Sequence, residues 1–496
     1  MSTRRTFLRS LGAALAAAPL VPESVLADPY RLTMRGSTAA PVRVRGQVVV
    51  GGRGLAGVAV TDGFQVVATA SDGSYQMVTR ADRPFVYLTL PAGYRIPAGP
   101  GVVARFHQPL SPDAAGEAVA SFDLETLPGG DERHTVLALP DIQTETAWEM
   151  ARFHAETVPD LRATAAAAAG PVLGVSVGDI MFDDLSLYPE YERGVAQVGG
   201  PFFQVVGNHD LDFQGRGDEA STATFSRRFG PRYYSFDRGA VHYVVLDDVL
   251  WHGSGYIGYL GYDQLAWLEA DLARVEPGKP VVVFLHIPAL GSRHERDGRT
   301  RPGDSVSVTN REILFRLLEP FRAHLVSGHT HENDHLWHGA LHEHVSGTVC
   351  GAWWSGDICA DGTPNGYSVY EVAGEEVRWR YQATGMPADY QMRLYPRGAD
   401  AHAPEEMVAN VWDADERWTV VWYENGQRRG RMARRQGLDP RAVAEHSGPD
   451  RPRHRPWVDP YPTRHLYYAP VPPGHGALSV EATDPFGQVY RAALEE

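Results

Sequence analysis

The arrangement of hydrophobic and polar positions divides the chain into three zones. From about Pro41 to Leu127, short apolar runs such as VRVRGQVVV, GVAVTDG, SYQMVTR and FVYLTLP are separated by Gly and Asp-Gly turns. Such runs, bounded by turn signals and without a helical period, are typical of β-strands. The first zone therefore predicts a small β-sandwich domain over residues 40–130.

The central zone, residues 134–375, alternates strands with helices. Its strands are continuous apolar runs, namely TVLALP, PVLGVSV, PFFQVV, HYVVLDD, PVVVFLH and AHLVSG. Between them, YDQLAWLEADLARV has apolar residues at helical spacing, and TNREILFRLLEPF begins with a Thr309–Glu312 capping box. Continuous apolar strands that alternate with helices predict an α/β fold whose sheets are covered on both faces.

The β-type pattern returns in the third zone, residues 385–496. The runs DYQMRLYP, EEMVANVWD, RWTVVWYENGQ and ALSVEATDPFGQVY predict a C-terminal β-domain, and Pro-rich connections separate them. One connection, RPRHRPWVDPYPTRH, is basic. It has two interpretations, a solvated linker, which we favour, and a contribution to a site in the central zone.

Composition narrows the function classes. The formal net charge of −15 at pH 7 argues against a nucleic acid as the main partner, because no general basic field would attract it. Two cysteines are too few for a disulfide scaffold or a cysteine zinc cluster. Cys350 and Cys359 could form a short disulfide or stay buried thiols, and the sequence leaves both open.

The N-terminus reads as an export signal. STRRTFLRSLGAALAAAPLVPESVLADP pairs Arg4 with Arg5, continues into a short apolar run and ends on a small-residue cleavage pattern before Asp28. We expect a Tat signal peptide over residues 1–27 that engages the Tat translocase. Its apolar run is shorter than the roughly 20 residues that a membrane span needs, so we expect no transmembrane segment after cleavage. The mature protein is then periplasmic or secreted.

Polar side chains follow five apolar strands of the central zone. In chain order they are Asp141 and Gln143, Asp179, the run Asn208–His209–Asp210, His286, and His329 with His331. Each alone has a structural explanation as a turn residue, but reactive groups of α/β sheets gather beyond strand ends. Carboxylate, amide and imidazole ligands suit divalent Mn, Fe or Zn. A bridging Asp would hold two such ions roughly 3.5–4 Å apart, as in phosphoryl transfer.

The blocks DIQ, GDIMFDD, GNHD, H and GHTH, in this order, resemble the calcineurin-like metallophosphoesterase superfamily. The flanking β-zones resemble those of a bacterial exported subgroup, and the N-terminal zone is similar to transthyretin-type, carboxypeptidase-regulatory-like modules. We interpret that module as packing support, because no reactive residues cluster in it. The resemblance implies a four-layer αββα sandwich with the site at one sheet edge, flanked by an N-terminal and a C-terminal β-domain.

The resemblance also implies roles for the site residues. Asp141 and His331 would hold one divalent metal, Asn208, His286 and His329 would hold the other, and Asp179 would bridge them. His209 would face the phosphoryl group of a small-molecule phosphate ester, oriented by Asp210. Hydrolysis would be direct, by a hydroxide that the two metals activate, without a serine or cysteine nucleophile.

One position departs from the family pattern. Gln143 stands where the family usually has a histidine ligand. An amide is a weaker donor to zinc than imidazole, so we expect the first metal to bind weakly and to favour Mn. The sequence leaves phosphomonoesterase and phosphodiesterase activity open, and also an exported binding protein whose activity has been lost at Gln143.

Substrate-facing segments have two interpretations each. GSRHERDGRTRPGDSVS, residues 291–307, could be a phosphate-facing lid or a solvated loop. Trp353 and Trp354 could offer stacking surfaces, although we expect at least one of them in the core.

Overall fold

The computed structural model describes residues 39–449 and 451–494. The expected Tat signal of residues 1–27 lies outside the described residues. Within the described ranges, no helix combines the length and apolar character that a membrane crossing requires.

The N-terminal domain is built around one long strand. Its strands are β1 (Pro41–Val50), β2 (Arg53–Gly54), β3 (Ala59–Thr61), β4 (Val66–Ala68), β5 (Ser74–Arg80), β6 (Phe85–Leu88), β7 (His107–Pro109), β8 (Glu117–Val119) and β9 (Phe122–Leu124). β1 pairs antiparallel with β2 and β5 and parallel with β8 and β9, and a second sheet has the order β4-β3-β6-β7. Val42 and Val44 of β1 are buried while Arg43 is exposed, which is the alternation of a half-buried strand.

Two larger sheets form the central domain. Their strands are β10 (Arg133–Leu139), β11 (Val172–Val177), β12 (Phe202–Val205), β13 (Tyr234–Arg238), β14 (Val241–Val245), β15 (Val249–Trp251), β16 (Tyr256–Gly258), β17 (Pro280–Phe284), β18 (Arg322–Ser327), β19 (Asp334–His338), β20 (Leu341–Val345), β21 (Gly366–Ala373) and β22 (Glu376–Ala383). The five-stranded sheet has the order β12-β11-β10-β21-β22, and the six-stranded sheet has the order β13-β14-β17-β18-β20-β19. β15 and β16 form a separate hairpin.

Helices cover the outer faces of both sheets. They are α1 (Ala147–Arg152), α2 (Val158–Ala167), α3 (Tyr188–Val195), α4 (Asp218–Ser221), α5 (Ala223–Phe229), α6 (Tyr262–Leu272), α7 (Arg293–Arg296) and α8 (Arg311–Leu318). Alternate residues of β10 enter different cores. Ala138 faces the second sheet with Phe284, whereas Leu137 packs against Leu161 of α2. On the far side, Val283 packs against Leu268 of α6. The expected four-layer αββα order is confirmed.

One local prediction was wrong. Thr309 does not form a capping box with Glu312, because its hydroxyl donates to the Gly258 carbonyl at 2.8 Å, and α8 begins only at Arg311. A capping box does start α1, where Thr146 and Glu149 satisfy each other's backbone N–H groups.

The C-terminal domain consists of two four-stranded antiparallel sheets with a core of their own. Its elements are β23 (Arg393–Tyr395), β24 (Glu406–Asn410), β25 (Thr419–Glu424), β26 (Gln427–Arg431), β27 (Ala433–Gly437), α9 (Pro440–His446), β28 (Thr463–Pro470), β29 (Leu478–Thr483) and β30 (Val489–Ala493). Residues 451–461, between α9 and β28, return to the central domain, and we call this segment the strap.

Candidate active site

The ends of β10, β11 and β12 in one sheet meet the ends of β17 and β18 in the other. Glycines allow this approach. A Cβ on Gly178, after β11, would lie 2.3 Å from Nδ1 of His286, and one on Gly328, after β18, would lie 2.2 Å from Oδ2 of Asp141. These distances leave no room for a side chain at either position. Because both residues are glycines, the backbone of one sheet can approach the site residues of the other closely.

The backbone at this meeting point is strained. Positive φ angles between 45° and 68° occur at Asp141, Gln143, Asp179, His329 and His331. Residues other than glycine rarely adopt this left-handed backbone conformation. Such strained conformations concentrate at functional sites, where the surrounding structure holds them in place. Five of the seven predicted metal ligands therefore point into the site from unfavourable conformations.

One group of predicted ligands converges on a single point. Nε2 of His286 lies 3.2 Å from Oδ1 of Asp179, 3.2 Å from Oδ1 of Asn208 and 3.2 Å from Nδ1 of His329. His329 donates through its other ring nitrogen to the Ser305 carbonyl, so the nitrogen that faces His286 carries a lone pair in the neutral ring. Four electron-pair donors that face one another in a buried cluster fit a divalent cation.

The second group is smaller. Nδ1 of His331 donates to the Gly351 carbonyl at 2.6 Å, which leaves its Nε2 lone pair 3.4 Å from Oδ1 of Asp141. This buried carboxylate oxygen has no hydrogen-bond partner among the described residues. A lone pair opposite an unpaired carboxylate oxygen is the arrangement that a bound cation would satisfy.

Gln143 lies inside the site rather than turned to solvent. Its Nε2 donates to Oδ2 of Asp179 at 3.1 Å, and its Oε1 lies 3.6 Å from Sγ of Cys350. The amide therefore contacts the predicted bridging carboxylate. An amide flip would aim Oε1 at the same place.

Electrostatics favour positive charge here. Burial alone would raise the pKa of Asp179 and lower that of His286, but their mutual attraction reverses both effects. The pKa of Asp179 is lowered and that of His286 is raised to about 10. The cluster therefore favours a positive charge, which a proton on Nε2 of His286 supplies, and a divalent cation would replace that proton to use the lone pair.

His209 reaches the surface of the site, with a quarter of its side chain exposed. Its Nδ1 lies 2.6 Å from Oδ1 of Asp183, and its ring stacks on Phe182 at 4.3 Å. Burial lowers the pKa of His209, but the charge of Asp179 and the hydrogen bond that the ring donates to Asp183 raise it above its ordinary value. The imidazolium form is favoured, as a proton donor to a phosphate ester requires.

The predicted orienting role of Asp210 was wrong. Its buried carboxylate accepts hydrogen bonds from the backbone N–H groups of Ile180, Met181 and Gly207, at 3.0–3.1 Å. It therefore holds the loops that carry Asp179 and Asn208, while Asp183 orients His209.

Asp248 was missed. Its carboxylate, buried beyond β14, accepts from the backbone N–H groups of His286 at 3.1 Å and Ile287 at 2.9 Å. It thereby fixes the loop that carries a predicted ligand. The acidic pair after the apolar run HYVVL was the available signal, because it repeats the strand-end pattern of the other site residues.

The strap borders the site, so the expectation of a solvated linker was wrong. The guanidinium carbon of Arg455 lies 4.4 Å from the centre of the Phe182 ring, on which His209 stacks. Arg455 pairs with Glu145 at 2.6 Å and with Glu149 at 3.2 Å. His454 adds a contact to Glu149 at 2.8 Å. The strap is thus anchored on the N-terminus of α1.

The structure also places residues of the two segments with open interpretations. In residues 291–307, Arg296 is buried against Glu332 and Asp334, so this arginine supports the loop and does not face a ligand. Trp354 is buried in the core, whereas Trp353 stacks on His331 at 4.0 Å.

The two cysteines do not form a disulfide. In the described part of the chain, Cys350 and Cys359 are free, buried thiols. Each sulfur lies 3.7 Å from the hydroxyl of Thr348.

Comparison with protein families gives three matches in chain order. Residues 42–127 match the N terminal of Calcineurin-like phosphoesterase, residues 134–333 match Calcineurin-like phosphoesterase, and residues 343–490 match the C terminal of Calcineurin-like phosphoesterase.

Individual relatives match shorter parts. Purple acid phosphatase 22 of Arabidopsis thaliana is 30% identical over 171 residues, 31% of this chain and 36% of the plant protein. A protein named "Probable cyclic nucleotide phosphodiesterase" in Xenorhabdus bovienii is 26% identical over 183 residues, 36% of this chain and 68% of that protein. A solved dimetal phosphatase from Danio rerio has a TM-score of 0.35 and 14% identity, over 50% of this chain and 96% of that chain. The chain spans only about a third of the plant relative's length.

Proposed function

The chain belongs to the calcineurin-like phosphoesterase family, and from this premise we propose that it is an exported metal-dependent hydrolase of small phosphate esters. The family uses a dinuclear divalent metal centre. The observation that carries the proposal is the convergence of Asp179, Asn208, His286 and His329 around one point, with His209 beside it.

The residues present fit two divalent ions that share Asp179. One would be held by Asp141, His331 and Asp179, and the other by Asn208, His286, His329 and Asp179. When bound, such ions supply Lewis acidity toward phosphate oxygens and acidify water. Gln143 completes the first set only through its amide oxygen, so Mn is the ion that we propose there.

The chain's own side chains then divide the remaining work. His209, protonated and held by Asp183, donates its proton to the leaving oxygen of the ester. Its backbone N–H donates to Oδ1 of Asp179 at 2.8 Å, which couples the proton donor to the shared carboxylate. Asp248 and Asp210 keep the ligand loops in place through backbone hydrogen bonds.

The strap supplies one wall of the site's mouth. Phe182 lies between Arg455 and His209, and Trp457 of the strap lies 6.4 Å from Trp353, which covers His331. These rings flank the site on two sides. An aromatic wall of this kind suits the organic part of a small ester rather than a long polymer.

Between ester classes, we propose the monoester as the preferred substrate. The name of the plant relative, a purple acid phosphatase, supports it. A second candidate, diester hydrolysis, is favoured by the similarity to the Xenorhabdus protein. Steady-state turnover of p-nitrophenyl phosphate against bis(p-nitrophenyl) phosphate separates the two. A higher kcat/KM for the diester would overturn the monoester proposal. If neither substrate is hydrolysed in a metal-dependent way, the proposal that the protein is an enzyme is overturned.

Export remains part of the proposal. Its support is the twin-arginine stretch with its cleavage pattern. We propose that the mature protein is periplasmic or secreted and that the Tat translocase is its partner during export.

A further inference from the structure

Four histidines share the inner face of the six-stranded sheet, on the neighbouring strands β18, β20 and β19. His324 lies on β18 and pairs in register with His342 of β20, and His335 of β19 pairs with His344 of β20. Because side chains alternate along a strand, His342 and His344 point to the same face. Glu343 between them points to the other face and accepts from the Ala289 backbone.

The ring nitrogens of three of these histidines converge. His324, His342 and His344 each offer one nitrogen, and these atoms lie within 4.8 Å of one another. Nδ1 of His324 is 3.1 Å from Nε2 of His344. Two histidine nitrogens bound to one tetrahedral zinc ion are roughly 3.3 Å apart, given Zn–N bonds of about 2.0–2.1 Å. This contact is a hydrogen bond when one of the two facing nitrogens carries the proton, and its length is also close to the spacing of two nitrogens that share a zinc ion.

Burial of the three rings favours the neutral imidazole. Burial, together with the charge of Arg417, lowers the pKa of His324 to about 4. Burial also lowers the pKa values of His342 and His344 well below the ordinary range. Neutral imidazoles keep a lone pair for a cation. The partial exposure of His324 gives that cation a route from solvent.

A hydrogen-bond relay sets the tautomer of one ring. His335 contacts Oδ1 of Asp413 through Nε2 at 3.0 Å, so this nitrogen carries the proton. Its Nδ1 then accepts from Nε2 of His342 at 3.0 Å. The lone pair of His342 is left on Nδ1. Carboxylate–histidine relays of this kind accompany metal-ligating histidines, because they fix the ring and raise its basicity.

Aromatic rings enclose the cluster. Trp337 stacks on His342 at 4.2 Å, and Trp379 of β22 meets His344 edge-on at 4.6 Å. The guanidinium of Arg417, from the C-terminal domain, lies over both tryptophans. Packing alone would not require convergent nitrogens, since phenyl rings fill such a space without burying polar atoms.

We propose that His324, His342 and His344 bind one zinc ion, separate from the dinuclear centre, with solvent completing its coordination. Imidazole-only sites favour borderline ions such as Zn²⁺ over Mn²⁺. The bound ion joins β18 and β20, and the Asp413 relay couples it to the C-terminal domain.

Zinc equivalents retained by the purified full chain after dialysis test this site. We expect Asp179→Asn, which removes the shared ligand of the dinuclear centre, to retain one equivalent. We expect His324→Gln and His344→Gln to lose one equivalent relative to wild type while ester hydrolysis is unchanged. The matched control is His402→Gln, at an exposed histidine of the C-terminal domain, which should lose none.

Two outcomes overturn the proposal. The first is that folded His324→Gln and His344→Gln, with folding checked by circular dichroism, retain as much zinc as the wild type. The second is the absence of zinc from the three rings in crystals. If both variants fail to fold, a zinc-edge anomalous difference map of wild-type crystals grown with Zn²⁺ decides. A peak among the three rings supports the site, and its absence there overturns it.

Discussion

Nδ1 of His209 lies 2.6 Å from Oδ1 of Asp183, in the loop that follows Asp179. Asp183 itself has a φ of 69°, so this loop adopts an unfavourable backbone conformation to bring the carboxylate to the ring. The contact fixes the ring orientation and leaves Nε2 as the nitrogen that can reach a substrate.

Removal of this contact should lower turnover without loss of metal. We expect His209→Ala to reduce kcat by roughly 10²–10⁴-fold, the usual scale of general acid assistance. Asp183→Asn should cause a smaller loss, because the ring remains but loses its charged partner. Steady-state kinetics with metal analysis of the same samples measures both.

A comparison of Asp210→Asn with Asp183→Asn tests which carboxylate orients His209. Asp210 bonds backbone N–H groups rather than His209, so its replacement should lower the melting temperature more than Asp183→Asn does. If Asp210→Asn instead lowered kcat at full stability and metal content, while Asp183→Asn had no effect, the assignment of Asp183 would be wrong.

Asp179 contacts His286 of the first ligand group through Oδ1 and Gln143 through Oδ2. We expect Asp179→Asn to lose metal and to reduce hydrolysis by at least about 100-fold, the upper range for partners that merely support metal ligands. The control is Asp184→Asn, an exposed carboxylate five residues along the same loop. Metal content by emission spectrometry and initial rates are the measurements, and full activity of Asp179→Asn contradicts the shared-ligand role.

Gln143 should weaken the first metal position. We expect the dinuclear centre of the wild-type enzyme, counted in the His344→Gln variant, to hold fewer than two ions tightly and the enzyme to gain activity when Mn²⁺ is added, because an amide is an uncharged, weak donor. Gln143→His should reduce that dependence, and Gln143→Leu, which removes the donor, should increase it. Mn²⁺ titration of activity tests the series. Two tightly held ions in the dinuclear centre, counted in the His344→Gln variant, with no response to Mn²⁺, would exclude a weakened position.

A buried ion pair away from the site predicts pH-dependent stability. Nδ1 of His242 lies 2.7 Å from Asp237 and Nε2 lies 3.0 Å from Asp271, so both nitrogens donate and the ring is charged. Burial lowers the pKa of His242, but the two carboxylates raise it to about 10. Its stabilising effect is therefore complete below the unfolded value of about 6.5 and is lost as pH rises toward 10.

The corresponding variant is His242→Gln. We expect it to lower the free energy of unfolding by about 3–5 kcal/mol at pH 6, the scale for a buried pair that loses one partner. The difference from wild type should shrink at pH 10. Urea unfolding at both pH values measures it, with His402→Gln as the control, and an equal difference at both contradicts the charged ring.

Export should depend on the paired arginines. We expect replacement of Arg4 and Arg5 by lysine to retain the protein inside the cell, and wild-type secreted protein to begin at Asp28. Cell fractionation and N-terminal sequencing are the measurements. Unaltered export in a Tat-deficient strain would show that another route is used.

The strand-end residues could be found from the sequence, because each follows a continuous apolar run and parallel strands bring such ends together. The direction in which each side chain points could not be predicted from the sequence. Asp183 and Asp210 follow different strands and are equally plausible partners of His209 in the sequence, and only the loop backbone decides between them. For the strap the sequence left both interpretations open and we favoured the wrong one, because Arg455 meets Glu149 across 306 positions of chain, beyond any local pattern.

The histidine cluster shows a similar limit. The alternation in His342-x-His344 is visible in the run LHEHV, but its meeting with His324 depends on the register between β18 and β20. Nothing in either strand alone specifies that register, which arises from how both sheets bury their apolar faces.

The anchoring of the strap on α1 also sets an order of events during synthesis. Translation at about 5–20 residues per second delivers Arg455 roughly 15–60 s after Glu149, its partner at 3.2 Å. The metal-ligand residues are all made before the strap, so a nascent chain can assemble an open-mouthed centre that lacks its aromatic wall. The strap reaches its place only when β28, β29 and β30 can complete the C-terminal domain, so the proposed selection of substrate by the wall would begin after synthesis of the ligand residues by that interval.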